Sequence, residues 1–177
     1  VMPKMKQFLI NNPSVKLLID NQNIYFKELY NNKKVQINQK LSVLPFEVPH
    51  RNEYSETVGF RILNNHKSAI YLPDIDSWDL WQENLEDLIL KNNILFLDGT
   101  FYTKSEIRHR DSSKIPHPSI ENTMNRLKDC SIKQKNKVYF IHLNHTNNAI
   151  IKESKSNITI SDNGFFVAKE KQVFSLN

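Results

Sequence analysis

Apolar residues fall in short blocks along the chain, and their spacing changes from helical to strand-like at about residue 24. Met5, Phe8 and Leu9 share one helical face; Pro3 suits a first turn and Asn11-Asn12-Pro13 stops it, which predicts a helix over 3–12. Ser14 is placed to cap a second short helix through Leu18. Residues 24–29 alternate loosely as a strand, 35–37 form a short one, and 41–48 a longer one in which Pro45 demands an edge position or a bulge. A polar loop over 49–56 leads to a strand at 57–63, a turn at 64–67, and a continuous apolar run at 68–72, as in a central strand. Residues 78–91 read as one amphipathic helix with Leu80, Trp81, Leu85, Leu88 and Ile89 inward. Buried strands follow at 93–97 and 137–143, with a helix over 119–129 between them. The polar stretch 102–118 is long for a plain connection, and loops of that length usually carry function or move. A closing hairpin is predicted from 164–168 and 172–176 around Lys169-Glu170-Lys171. The strand–helix alternation from 68 to 143 is α/β, α+β by some schemes.

Composition narrows the function classes. The chain has 177 residues, one domain's worth, with a formal charge of +5. Its basic residues are scattered, and the longest cluster noted is Lys33-Lys34. A nucleic-acid groove needs clustered cations with interleaved aromatics, so this composition argues against nucleic acid as the main partner. Cys130 is the single cysteine, so no internal disulfide points to an oxidising compartment, and the cytoplasm is the expected location. No apolar run nears the ~20 residues of a membrane span, and the opening residues lack the pattern of a secretory leader. Val1-Met2-Pro3 reads as though it begins at the end of a strand. Only three glycines are present, without a Gly-rich phosphate loop or a Gly-x-Ser-x-Gly elbow.

The polar residues that punctuate the strands carry the candidate chemistry. His50 follows the 41–48 strand, Asp74 follows 68–72, Asp98 and Thr100 follow 93–97, and His142, Asn144 and His145 stand at the end of the third buried strand. His117 lies between Pro116 and Pro118, before the 119–129 helix. In an α/β sheet, ligands bind beyond the carboxyl ends of the strands, so side-by-side strands would bring these groups to one rim. Imidazole and carboxylate together suit zinc, iron or manganese. His50, Asp74 and His142 are candidate metal ligands, the carboxylate able to bridge two metals and the histidines to cap them. Asp98 and His117 are expected to orient the ligands or to carry protons in catalysis, with Thr100, Asn144 and His145 as further residues orienting the ligands. Bland alternatives stand beside each: His50 and His142 as solvated loop histidines, Asp74 as a cap of the Trp78 helix, Asp98 as a turn residue, and His117 as a helix-entry residue. For the helix cap, Asp76 or Ser77 is better placed than Asp74. His66 and His109 read as solvated, Cys130 as partly buried structure, and the two tryptophans as core anchors.

On these residues the chain resembles the C-terminal half of a metallo-β-lactamase-fold protein, most closely the family of pyrroloquinoline quinone biosynthesis protein B and its bacterial relatives. The matching stretches are Val48-Pro49-His50-Arg51 with Glu56-Thr57-Val58-Gly59-Phe60, Ser68-Ala69-Ile70-Tyr71-Leu72-Pro73-Asp74-Ile75, Phe96-Leu97-Asp98-Gly99-Thr100-Phe101, Ile115-Pro116-His117-Pro118 and Phe140-Ile141-His142-Leu143-Asn144-His145-Thr146-Asn147, with the tail from Gly164 to Leu176. The resemblance implies half of an αββα sandwich, with 1–177 a single partial domain whose first metal motif, a His-x-His-x-Asp-His run, lies upstream of Val1. On that view this stretch alone is inactive. It also implies a metal-dependent enzyme holding one or two zinc ions, or iron, and acting on a small-molecule or peptide-derived substrate by hydrolytic or oxidative chemistry. The competing reading is a non-catalytic binding or carrier protein with an incomplete metal site, since fold does not fix function. A third reading, likeness to the tRNA 3′-end nucleases of the superfamily, fits the basic pI of about 9.2 but lacks a basic arm.

Overall fold

The computed structural model describes residues 2–51, 55–106 and 116–176. Two N-terminal helices, α1 (Met2–Ile10) and α2 (Pro13–Asp20), precede the sheet. Asn12 caps α2, not Ser14: its side chain accepts from the Ser14 and Val15 backbone N–H groups, and Pro13 takes the first turn. The strands are β1 (Val35–Gln36), β2 (Leu41–Val48), β3 (Thr57–Asn64), β4 (Ser68–Leu72), β5 (Ile94–Asp98), β6 (Val138–Ile141) and β7 (Phe166–Val167). They form one sheet in chain order. The pairs β1–β2, β2–β3 and β3–β4 are antiparallel, while β4–β5, β5–β6 and β6–β7 are parallel. The parallel strands are linked through α3 (Leu85–Lys91), through α4 (Ile120–Arg126) and α5 (Ile132–Lys135), and through α6 (Lys155–Asp162).

Two antiparallel reversals separate β2 from β4, so β2 runs in the same direction as β4, β5 and β6. Their carboxyl ends therefore lie on one rim. This is how four segments far apart in sequence deliver polar side chains to one place.

The period of two in the central strands sorts their side chains onto two faces. Ile70, Leu72, Leu95, Leu97, Val138 and Phe140 are fully buried and form one core with Leu85, Leu88 and Ile89 of α3, Ile120 and Met124 of α4, and Ile160 of α6. The other face carries a row of aromatics across five strands, because Phe60 pairs with Tyr71, Tyr71 with Phe96, Phe96 with Tyr139 and Tyr139 with Phe166. Phe174 packs edge-on against Phe96 and Tyr139, with ring centroids 4.8 and 4.7 Å away. Packing of α3, α4 and α6 against one face of a mixed sheet gives an α/β arrangement.

Three local expectations give way to tertiary contacts. Residues 24–29 form no strand, and Ile24, Tyr25 and Leu29 are exposed. The edge of β2 that such a strand would need is taken by Asn31, whose side chain accepts from the Glu47 N–H, and by Asn32, whose N–H donates to the Pro45 carbonyl. The ladder of β1 reaches only Ser42 and Val43, so Pro45 lies beyond it, as an edge proline should. The stretch 78–91 is not one helix. Ser77 caps a short 3-10 turn over Trp78–Leu80 and Asn84 starts α3 afresh. The indole N–H of Trp78 donates to Thr123 Oγ1 at 2.9 Å and that of Trp81 to the Glu47 carbonyl at 3.3 Å. Anchoring both tryptophans to distant partners leaves Trp81 extended, which interrupts the helix. The tail is no hairpin either. β7 adds parallel to β6, and residues 172–176 form no strand but cross the aromatic face until Asn64 Nδ2 donates to the Leu176 carbonyl. The middle of the long 102–118 stretch, with His109 and Ile115, lies outside the described residues, as do 52–54 of the 49–56 loop.

Candidate metal centre

Each parallel strand ends in a different device that brings its functional side chain to the rim. Pro73 cannot extend the β4 ladder and turns Asp74 onto the rim. Asp98 is the last residue of β5, and Gly99 follows it where the chain passes closest to β6. A Cβ on Gly99 would sit 2.9 Å from both the Ile141 carbonyl oxygen and Phe140 Cβ. Only a glycine lets Gly99 N–H donate to Ile141 O at 2.9 Å and bring the two strand ends together. Gly99→Ala is therefore expected to cost about 1–3 kcal/mol, read by urea denaturation. Beyond β6 the chain turns at once, placing His142 in the left-handed region with φ 60°. His117 is held at φ 128° between two prolines. Non-glycine residues there cost on the order of 1–3 kcal/mol, and such strain clusters at functional sites.

Asp98 lies at the centre. Its carboxylate is fully buried, and four donors converge on it. Oδ1 accepts from Thr100 N–H at 2.9 Å and from the Thr100 hydroxyl at 2.7 Å. Oδ2 accepts from Ile75 N–H at 3.2 Å and lies 2.8 Å from His117 Nδ1. With its proton on Asp98, Thr100 Oγ1 turns a lone pair to His142 Nδ1 at 3.1 Å and lies 3.2 Å from His117 Nδ1, whose single proton it shares with Asp98. One hydroxyl thus fixes both rings. Asn147, buried behind, donates from Nδ2 to the Gly99 carbonyl at 2.9 Å and pins this turn.

Asp74 faces the same space. Its Oδ1 is 3.3 Å from His117 Nδ1, and its Oδ2 is 3.2 Å from His50 Nε2. The three imidazoles stand in a row with His117 in the middle, its ring centroid 5.4 Å from His50 and 6.1 Å from His142. Burial pushes the Asp74 carboxyl above the usual carboxylate range; the charges of His50 and His117 pull it back only in part, and Asp98 adds to the rise. His117 is shifted up. Burial, its largest single influence, opposes the cation, but the hydrogen bond and charge of Asp98, then the charges of Asp74 and Asp76, outweigh it.

Asp74, Asp98, His117 and His142 each offer one ligand atom, and these atoms all lie within 4.8 Å of one another. Sequence reading set His50 with Asp74 and His142 as ligands and placed Asp98 and His117 beside them. In the structure Asp98 and His117 are part of the tightest group, while His50 touches it through Asp74. Of the residues expected to orient the ligands, Thr100 does contact two histidines. Asn144 instead donates to Thr146 Oγ1 in its own turn, and His145 is exposed. Asp76, considered from sequence only as a helix cap, lies at the site with its Oδ1 2.8 Å from His50 Nδ1. No sequence signal marked it, because the contact joins two loops.

The donor set fits a metal. Two carboxylates and two imidazoles are the mixed O/N set that zinc and iron accept. Asp74 Oδ1 is buried without a hydrogen-bond donor to satisfy it, which a cation in the cluster would supply. His142 is exposed, so the cluster opens to solvent on that side.

A mixed α/β sheet with a strand-end cluster able to take a metal ion defines the class. Residues 6–143 match the beta-lactamase superfamily domain, and the chain belongs to that superfamily. No curated protein matches it by sequence. Among solved structures it is similar to the zinc-bound PqqB of Methylobacterium extorquens, with a TM-score of 0.69 and 20% identity over 94% of this chain and 57% of PqqB. It is also similar to the metallo-beta-lactamase fold protein YhfI of Bacillus subtilis, with a TM-score of 0.51 and 12% identity over 85% of this chain and 57% of YhfI. At such identities the likeness is one of fold. The chain spans 57% of the length of each of these two proteins. No helix among the described residues is long and apolar enough to cross a membrane.

Proposed function

We propose that this chain contributes the strand-end metal site of a metal-dependent enzyme of the beta-lactamase superfamily, with Asp74, Asp98, His117 and His142 around the ion and His50 reaching it beside Asp74. The observation that carries this reading is the convergence of four ligand-bearing side chains from four segments within 4.8 Å. Zinc is the favoured ion, with iron the alternative. The zinc held by PqqB supports that choice. A divalent metal there supplies Lewis acidity, which acidifies water or polarises a substrate oxygen. The residues supply the rest. Asp98 and Thr100 hold His117 and His142 in fixed orientations. His117, paired to Asp98 through Nδ1, can pass that proton to the carboxylate and take it back. The exposed side at His142 is where substrate enters, and a small-molecule or peptide-derived substrate suits an open polar rim. The likeness to PqqB favours quinone-cofactor biosynthesis as the setting, in the cytoplasm.

Metal analysis of the purified protein tests this, together with zinc titration against a chromophoric chelator. Wild type is expected to bind zinc stoichiometrically, and His142→Ala to weaken it by at least tenfold with an unchanged metal-free melting temperature. Equal zinc affinity in wild type and His142→Ala would overturn the assignment.

A further inference from the structure

Asp76 makes three contacts that tie the histidine-bearing loops together. Its N–H donates to the Pro49 carbonyl at 2.7 Å, one residue before His50. Its carbonyl accepts from the His117 N–H at 3.1 Å. Its side chain sets Oδ1 2.8 Å from His50 Nδ1, close enough to favour a proton on that nitrogen. The carboxylate is free for this because Ser77 caps the following turn, accepting from Asp79 N–H at 3.2 Å. The ring of His50 thus lies between two carboxylates, Asp76 at Nδ1 and Asp74 at Nε2. The two sides are not equivalent. Asp74 belongs to the four-residue cluster, whereas Asp76 does not.

We infer that Asp76 is a positioning residue: it holds His50 through Nδ1 so that Nε2 is presented to the ion that Asp74 and its neighbours bind. A carboxylate behind an imidazole fixes which nitrogen carries the proton, sets the ring angle and makes the other nitrogen a better ligand; losing such a partner typically weakens metal affinity about 10–100-fold. This rests on the metal site proposed above, and it adds a residue and assigns the direction in which His50 acts.

Alanine at position 76 removes the carboxylate and keeps both backbone contacts, so the strap between the loops survives substitution. Zinc affinity is measured at fixed pH for wild type, Asp76→Ala, His50→Ala and the double variant. Asp76→Ala is expected to weaken zinc about 10–100-fold in the wild-type background and less than about threefold once His50 is absent. A purely structural role would give the same loss in both backgrounds, and that result, or a loss under threefold in wild type, would overturn the inference. Asp76→Asn, nearly isosteric, replaces Asp76→Ala in the cycle if the alanine variant does not fold. A wild type that binds no zinc would fail the metal reading itself. The positioning role is then decided on the metal-free protein, where imidazole nitrogen NMR must show the His50 Nδ1 resonance moving in Asp76→Asn but not in Asp79→Asn; an unmoved resonance would count against it.

Discussion

Asp74→Ala is expected to remove stably bound zinc, an effect of at least a hundredfold in affinity, while leaving the metal-free protein melting at or above wild type. Both halves follow from the same observations. Asp74 contributes one carboxylate oxygen to the cluster and faces His50 with the other. Its Oδ1 is buried without a donor. A carboxylate so placed is a poor contributor to a metal-free fold and a good ligand, because a cation supplies what burial withholds. The raised Asp74 pKa says the same: its charged form is disfavoured relative to the unfolded chain, first by burial. Inductively coupled plasma analysis with calorimetric melting of metal-free samples checks both. Zinc retained in Asp74→Ala, or a metal-free melting point several degrees below wild type, would contradict this account.

The same shifts fix the pH dependence. Asp74 and His117 are both raised on folding, so the folded metal-free protein holds protons more tightly than the unfolded chain. Stability from this source is fully present below the unfolded pKa values and is lost as pH rises through the folded ones. For His117 that window begins at about 6.5 and extends upward. Zinc reverses the trend, since its ligands must give up those protons. The rise in melting temperature on adding zinc should therefore grow with pH across that window.

The strands and their rim were legible in the sequence because each rests on a local pattern. The runs over 41–48, 68–72, 93–97 and 137–143 are short and apolar, and each ends at a polar residue whose place on the strand-end rim follows from the chain direction. Asp74, Asp98 and His142 could be placed on one rim without coordinates for that reason. What stayed hidden depends on contacts between segments. His117 is legible as a site residue beside Asp98, but only the fold sets its Nδ1 2.8 Å from the Asp98 carboxylate. Asp76 and Ser77 both suit a helix start, and which of them is released to meet His50 is decided by a neighbouring loop. The broken helix at Trp81 has the same origin, since its indole answers to Glu47, 34 residues away in sequence.

Asp98→Ala should have the opposite profile to Asp74→Ala, unfolding the protein more readily even without metal. Four donors end on its buried carboxylate: two backbone N–H groups, the Thr100 hydroxyl and His117. Alanine strands all four. Leaving a buried donor unpaired costs about 1–3 kcal/mol each, and removing one partner of a buried charged pair costs about 3–5 kcal/mol. Water can enter beside the open His142 side and offset part of this, so a net loss of about 3–5 kcal/mol is expected. That is a large share of the roughly 5–15 kcal/mol that holds a domain folded, and it corresponds to a fall in melting temperature on the order of 10 °C. Asp98→Asn should lose less, because its Oδ1 can still accept from Thr100, although its amide would face the Ile75 N–H. If Asp98 acted only as a ligand, metal-free Asp98→Ala would melt with wild type. A difference under about 2 °C would show that the network around it does not hold the rim. A fall near the expected size, beside an unmoved Asp74→Ala, would separate the carboxylate that builds the site from the one that waits for the metal.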